Sequence, residues 1–177
     1  MKNNKGFSLV ELIIVIAILS VLTGASVVGL GYLYSTNVKS SVKKLDSDLQ
    51  KVQSYTVSKS TENKKIGLVL KKTGSGWYVQ YKGIPNMSDD EIGKKNLKVY
   101  YMDDSGSGWQ QVTSGLTVYF DRATGGLLEL VDASDADTGK YLKKIRLTIA
   151  DDITDDSKCC TIEISKVTGK TTVKVYQ

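Results

Sequence analysis

Three successive patterns of apolar and polar residues divide the chain. The stretch Leu12–Leu33 holds 22 residues without a single charge, enough for a helix that covers about the thickness of a bilayer core. Along Val38–Tyr55, apolar residues recur every three or four positions, which predicts one buried helix face. Because neither glycine nor proline occurs between Tyr32 and Ser60, the two patterns together predict one helix of about 50 residues that ends near position 58.

The remaining two-thirds of the chain alternates as strands do. In "KIRLTIA", Ile145, Leu147 and Ile149 face one way, and Thr-Gly pairs mark the turns of two hairpins, in "LTVYFDRATGGLLEL" and "CTIEISKVTGKTTVKVY". The pattern predicts an α+β fold in which one long helix, apolar and then amphipathic, packs on a mostly antiparallel sheet. The predicted strands are Ile66–Lys72, Trp77–Lys82, Leu97–Met102, Leu116–Asp121, Gly126–Val131, Leu142–Ala150, Thr161–Ser165 and Thr171–Tyr176.

A single carboxylate, Glu11, stands near the start of the apolar run. Near the centre of a spanning helix a carboxylate costs ~2.5–3.5 kcal/mol, and less near the helix end. If the chain were cut between Gly6 and Phe7, the new amine would lie four residues before Glu11, on the same helix face. The two charges would then neutralise each other within a subunit or between neighbours. The residues alone equally allow Glu11 to reach the lipid headgroups.

The same stretch also has features of an ordinary secretory signal. Lys2 and Lys5 form a positive start, Leu12–Leu22 an apolar centre, and the small residues at 23–25 a possible cleavage site. Cleavage there would release a secreted binding domain or enzyme that begins near Ser26. The continuation of apolar residues past that point counts against this alternative, as does Glu11.

The segment "KGFSLVE" before an apolar run resembles the signal of type IV prepilins and of the pseudopilins of type II secretion. The resemblance covers about the first 30 residues. It implies that prepilin peptidase cuts after Gly6 and methylates the amine of Phe7, and that Glu11 pairs with a neighbour's N-terminus during assembly. The C-terminal hairpins have only a faint similarity to minor pseudopilins of the H type.

The resemblance also implies a domain organisation and a location. Residues 1–6 would be a leader, 7–34 the hydrophobic transmembrane and assembly helix, and 35–177 the soluble pilin domain. The N-terminus would be cytoplasmic in a single-pass membrane precursor, and the assembled chain would lie in an extracellular pilus or envelope pseudopilus. The implied partners are other pilin subunits, prepilin peptidase, the inner-membrane assembly platform and its ATPase. One departure is that the only proline is Pro85, far from the apolar segment.

Composition narrows the possible chemistry. The chain has no histidine and a net charge of +5 from scattered lysines, so we expect neither an enzyme nor a nucleic-acid-binding protein.

The two cysteines are adjacent, and strand alternation predicts Cys160 in the core and Cys159 at the surface. No cofactor is predicted. A calcium loop at Asp132, Asp135 and Asp137 is the weaker alternative to solvated turns, because Gly139 breaks the EF-hand spacing.

The sequence therefore predicts a structural, filament-forming subunit, either a type IV pilin or a pseudopilin. The alternatives are a secreted domain behind an ordinary signal and a single-span protein that never polymerises. Major and minor subunits, and roles in motility, adhesion, DNA uptake or secretion, are not distinguished by these residues.

Overall fold

A computed structural model describes residues 9–59, 65–131 and 137–175, and it excludes the side chains at 24–35, 59 and 157. The predicted processing residues Gly6 and Phe7 lie outside the described residues. The chain divides into two compact units, Met1–Thr36 and Asn37–Gln177, which are considered separately.

One helix, α1, spans Leu9–Lys59, and its 51 residues confirm the predicted helix of about 50. In the second unit its apolar stripe forms part of the core. Tyr55 is partly buried against the same core. Full burial of an aliphatic side chain stabilises a fold by ~1.5–3 kcal/mol, so this stripe is a main attachment of the helix to the sheets. The stripe residues, none more than 3% exposed, are Val38, Val42, Leu45, Leu49 and Val52.

The described residues after α1 form nine strands and one short 3-10 helix, Asp156–Lys158. All strand pairs are antiparallel. The strands are β1 Gly67–Lys72, β2 Gly76–Lys82, β3 Asp90–Lys94, β4 Lys98–Asp103, β5 Gln110–Gln111, β6 Gly115–Tyr119, β7 Leu142–Thr148, β8 Cys159–Ile164 and β9 Thr171–Val175.

These strands make two sheets, where the sequence predicted one. The first has the order β3-β2-β1-β6 and the second β5-β4-β7-β8-β9. Although β4 follows β3 closely in the chain, β5 and β7 pair with its two edges, so β4 has no edge left for β3. Buried residues of both sheets and of α1 share one hydrophobic cluster, and the predicted packing of a helix on antiparallel strands is therefore confirmed.

The prediction of a strand at Gly126–Val131 is wrong. An isolated bridge joins Phe120 to Leu127, and the Leu128 amide donates to the carbonyl of Tyr119 at the end of β6 at 2.9 Å, but no continuous pairing with a strand follows, because the next bonds go to loop residues. The Leu127 amide donates to the Lys166 carbonyl at 2.8 Å, and the Leu130 amide donates to the Lys140 carbonyl at 2.8 Å. The other predicted strands are present with shifted ends. Strands β3 and β5 were not predicted, because the first is acidic and contains glycine and the second has only two residues.

The predicted surface position of Cys159 is also wrong, because Cys159 and Cys160 are both buried free thiols. The outward face of β8 is covered by the segment that follows β7. Arg146 attaches this segment by donating from Nη1 to the Ile153 carbonyl at 2.5 Å and from Nη2 to Asp156 Oδ1 at 2.7 Å. Its Nε also donates to Thr161 Oγ1 on β8 at 3.2 Å. Cys159 is therefore buried by this segment, although alternation along β8 places its side chain on the face that points away from the core.

The two predicted Thr-Gly turns meet beside α1. The turn 121–126 follows β6, and the turn 165–170 connects β8 to β9. Half-buried Gln53 donates from Nε2 to the Gly125 carbonyl at 3.0 Å and to the Thr168 carbonyl at 2.5 Å. Gly169 has φ +65°, and a Cβ there would lie 2.1 Å from the Gly125 carbonyl oxygen, so glycine is required for this close approach. One glutamine thus joins the helix to both turns.

Candidate processing and assembly segment

Of the three predicted site residues, only Glu11 lies in the described part of the chain. It occupies the first turn of α1, and its side chain is exposed. A carboxylate is favoured there because backbone N–H groups and the helix dipole give the N-terminal end of a helix a partial positive charge. The predicted roles of Gly6, Phe7 and Glu11 stay predictions.

The described side chains of the first unit present an apolar surface on all sides of the helix. Eleven large apolar side chains between positions 9 and 22 are each at least 51% exposed. A continuous apolar surface of this kind is unfavourable in water and marks a contact with lipid or with another protein. The exposed residues are Leu9, Val10, Leu12, Ile13, Ile14, Val15, Ile16, Ile18, Leu19, Val21 and Leu22.

Two hydroxyl groups on this surface bond to the helix itself. Ser20 Oγ donates to the Ile16 carbonyl at 2.8 Å, and Thr23 Oγ1 donates to the Leu19 carbonyl at 2.6 Å. Each bond reaches back one helical turn, which satisfies the hydroxyl proton without solvent. These polar residues are therefore compatible with an apolar environment around the helix.

Within the described residues, no helix is both long and apolar enough to cross a membrane. The expected membrane location stays a prediction.

The calcium alternative falls partly on residues that the structure does not describe. Asp132 and Asp135 lie outside the described residues, whereas Asp137 is exposed and forms an ion pair with Lys65 at 3.3 Å. In residues 9–59, 65–131 and 137–175, no group of three or more acidic or cysteine side chains is placed to hold a metal ion. Calcium binding at these residues stays a hypothesis.

The structure also forms a cationic cleft that the sequence analysis did not single out. It lies where β7, β8 and β9 approach the turn 165–170, and its cavity volume is about 510 Å³. Lys143, Lys144 and Lys170 line it together with Glu163. Alternation along each strand could have predicted that Lys144 of β7 and Glu163 of β8 point away from the core. Only the pairing of β7 with β8 makes the two residues neighbours.

Comparison with known proteins identifies the N-terminal segment. The family model of the prokaryotic N-terminal methylation motif matches residues 1–27, and this motif is the signature of type IV pilins and pseudopilins. The chain therefore carries a type IV pilin or pseudopilin signature, and its α+β architecture of a helix packed on antiparallel sheets is consistent with the pilin fold. Neither a curated protein nor a solved structure gives a significant match.

Proposed function

We propose that this protein is a structural subunit of a type IV pilus or of a related type II secretion pseudopilus. The observation that carries the proposal is the methylation motif at residues 1–27, because the matched residues include the start of α1 with its exposed apolar side chains. Prepilin peptidase would cut between Gly6 and Phe7 and methylate the new amine. Before assembly the apolar segment lies in the membrane, and in the filament it packs against the same segment of other subunits.

In the proposed assembly, Glu11 sets the position of each incoming subunit. Its carboxylate pairs with the methylated Phe7 amine of a neighbour as the surrounding apolar side chains become buried. Burial lowers the local dielectric constant, so an opposite charge at this position contributes more than it would in water. An inner-membrane platform and its ATPase supply the work of extraction from the bilayer. The chain itself performs no catalysis in this process.

Processing is tested by expressing the full chain with a prepilin peptidase and measuring the mass of its N-terminal peptide. We expect a mature chain that begins at N-methylated Phe7. Gly6→Val should leave the leader attached, because the branched side chain blocks the scissile bond. Asn4→Val, which places the same side chain elsewhere in the leader, should be processed normally. An intact leader in the unmodified protein would contradict the proposal, and a start near Ser26 would indicate an ordinary secreted domain.

Assembly is tested by the amount of subunit in sheared filaments relative to total membrane protein. Glu11→Ala and Glu11→Gln should both be processed and inserted but should be incorporated several-fold less, because each removes the charge. Glu91→Gln makes the same charge change at a half-exposed residue of β3, whose surface ion pair with Lys94 contributes little, and should be incorporated normally. Normal incorporation of both Glu11 variants would show that this carboxylate does not direct docking.

A further inference from the structure

The cationic cleft beside the turn 165–170 is built by three neighbouring strands. Lys144 on β7 lies opposite Glu163 on β8, and Glu163 lies opposite Thr172 on β9. These three side chains therefore share one face of the second sheet. Lys143 and Lys170 complete the charged part of the cleft, whose cavity volume of about 510 Å³ is large enough for a small polar ligand.

Positive charge in the cleft exceeds negative charge. Glu163 accepts from Lys144 at 2.7 Å and from Lys174 at 3.0 Å, and these hydrogen bonds lower the pKa of its carboxyl. This carboxylate therefore stays ionised and holds two of the lysines in place. Lys143 and Lys170 make no ion pair with the described residues. The cleft and its rim therefore have a net charge of +3, because one carboxylate, Glu163, is set against the ammonium groups of Lys143, Lys144, Lys170 and Lys174.

Hydroxyl groups of the turn add neutral donors. Ser165 Oγ accepts the Thr168 amide at 3.4 Å, and Thr168 Oγ1 accepts the Lys170 amide at 3.3 Å. Because each oxygen already accepts a backbone hydrogen bond, its own proton remains available for a ligand in the cleft. Each oxygen of the Glu163 carboxylate also has a second lone pair, which can accept a hydroxyl proton from the same ligand.

From this arrangement we propose that the cleft binds a phosphate group carried on a polyol or sugar chain. Lys143 and Lys170 supply the charge for the phosphate, the hydroxyls of Ser165 and Thr168 donate to its oxygens, and Glu163 accepts from a ligand hydroxyl. Lysine binds phosphate as a point charge, which suits an open cleft without fixed bidentate geometry. Among the described residues no aromatic ring lines the cleft, so this part of the chain offers no stacking surface of the kind by which proteins hold single-stranded nucleic acid.

The experiment measures binding of poly(glycerol phosphate) to the full chain in neutral detergent by isothermal titration calorimetry. Lys143→Gln with Lys170→Gln removes the two ammonium groups that have no acidic partner among the described residues, and we expect affinity to fall at least tenfold. The matched control is Lys71→Gln with Lys95→Gln, two exposed lysines outside the cleft, which should change affinity less than twofold. Binding should weaken as salt is added, because salt screens exposed charges.

Three further titrations identify the ligand. Inorganic phosphate and glycerol phosphate should bind more weakly than the polymer, because they make fewer contacts. Single-stranded DNA of equal phosphate number should bind at least tenfold more weakly than the polymer. The proposal is overturned if the polymer does not bind, if both double variants lose affinity equally, or if DNA binds as tightly as the polymer. Because none of these outcomes depends on leader cleavage or filament formation, they are separate from tests of the proposed function.

Discussion

Gln53 offers the sharpest test of how α1 is attached to the sheets. Its Nε2 donates to the carbonyls of Gly125 at 3.0 Å and of Thr168 at 2.5 Å. A net hydrogen bond contributes ~0.5–1.5 kcal/mol, so Gln53→Ala should lower the free energy of unfolding by about 1–3 kcal/mol. Gln53→Glu keeps the size but places an ionised acceptor against two carbonyl acceptors, and we expect a loss of about 2–4 kcal/mol at pH 7.

These losses translate into measurable melting temperatures. In chains of this size 1 kcal/mol corresponds to ~2–4 °C, so Gln53→Glu should melt about 4–16 °C below the unmodified protein. Thermal unfolding is followed by near-ultraviolet circular dichroism of the full chain in neutral detergent. Gln80→Glu makes the same change on the exposed face of β2 and should alter stability by no more than about 0.5 kcal/mol.

The pH dependence separates charge repulsion at Gln53 from loss of packing. A neutral carboxyl can donate one hydrogen bond to a carbonyl, so the folded state raises the pKa of the introduced glutamate above its unfolded value of ~4.3. The destabilisation is complete above the folded pKa and is relieved as pH falls through it toward the unfolded value. The difference in free energy of unfolding between Gln53→Glu and the unmodified protein should therefore become smaller from pH 7 to pH 4. The corresponding difference for Gln53→Ala should stay constant over the same range. The reasoning is refuted if both variants lose the same stability at pH 7, or if the difference for Gln53→Glu does not become smaller at low pH.

Three further predictions concern the second unit. A fragment of residues 38–177 should fold without the apolar segment and show cooperative melting when followed by circular dichroism, and an unfolded fragment would contradict the fold. A chelator should leave its melting temperature unchanged, and a large decrease in that temperature would favour calcium binding. Cys159 and Cys160 are buried, and burial raises the pKa of the Cys160 thiol, so a thiol reagent should label neither residue until denaturant is added; rapid native labelling would contradict their placement. Asp103→Ala should cost about 2–3 kcal/mol at pH 7, because it leaves the Ser105 amide without its acceptor and removes one of the two acceptors of the Gln110 amide group. The hydrogen bond from the Ser105 hydroxyl is the largest cause that lowers the pKa of Asp103, so in pH-dependent unfolding this stabilisation should be complete above ~3.9 and lost as pH falls through the folded pKa; a pH-independent difference would contradict it.

Local patterns in the sequence determined much of this protein. A cleavage and methylation motif consists of consecutive residues, so Gly6, Phe7 and Glu11 can be identified without any tertiary contact. The stripe from Val38 to Tyr55 is equally local, because residues three and four apart share a helix face whatever they pack against. The β8–β9 hairpin was predictable because its Thr-Gly turn joins strands that are adjacent in the chain.

Tertiary structure decided the features that depend on distant segments. The edges of β4 pair with β5 and with the distant β7, which separates the strands into two sheets. Cys159 is buried because a segment attached by Arg146 covers the outward face of β8, which alternation alone assigns to solvent. The cationic cleft forms because three strands and one turn bring their lysines together. Periodicity reports which face of an element is apolar, whereas the partner of each face is chosen by packing across the whole chain.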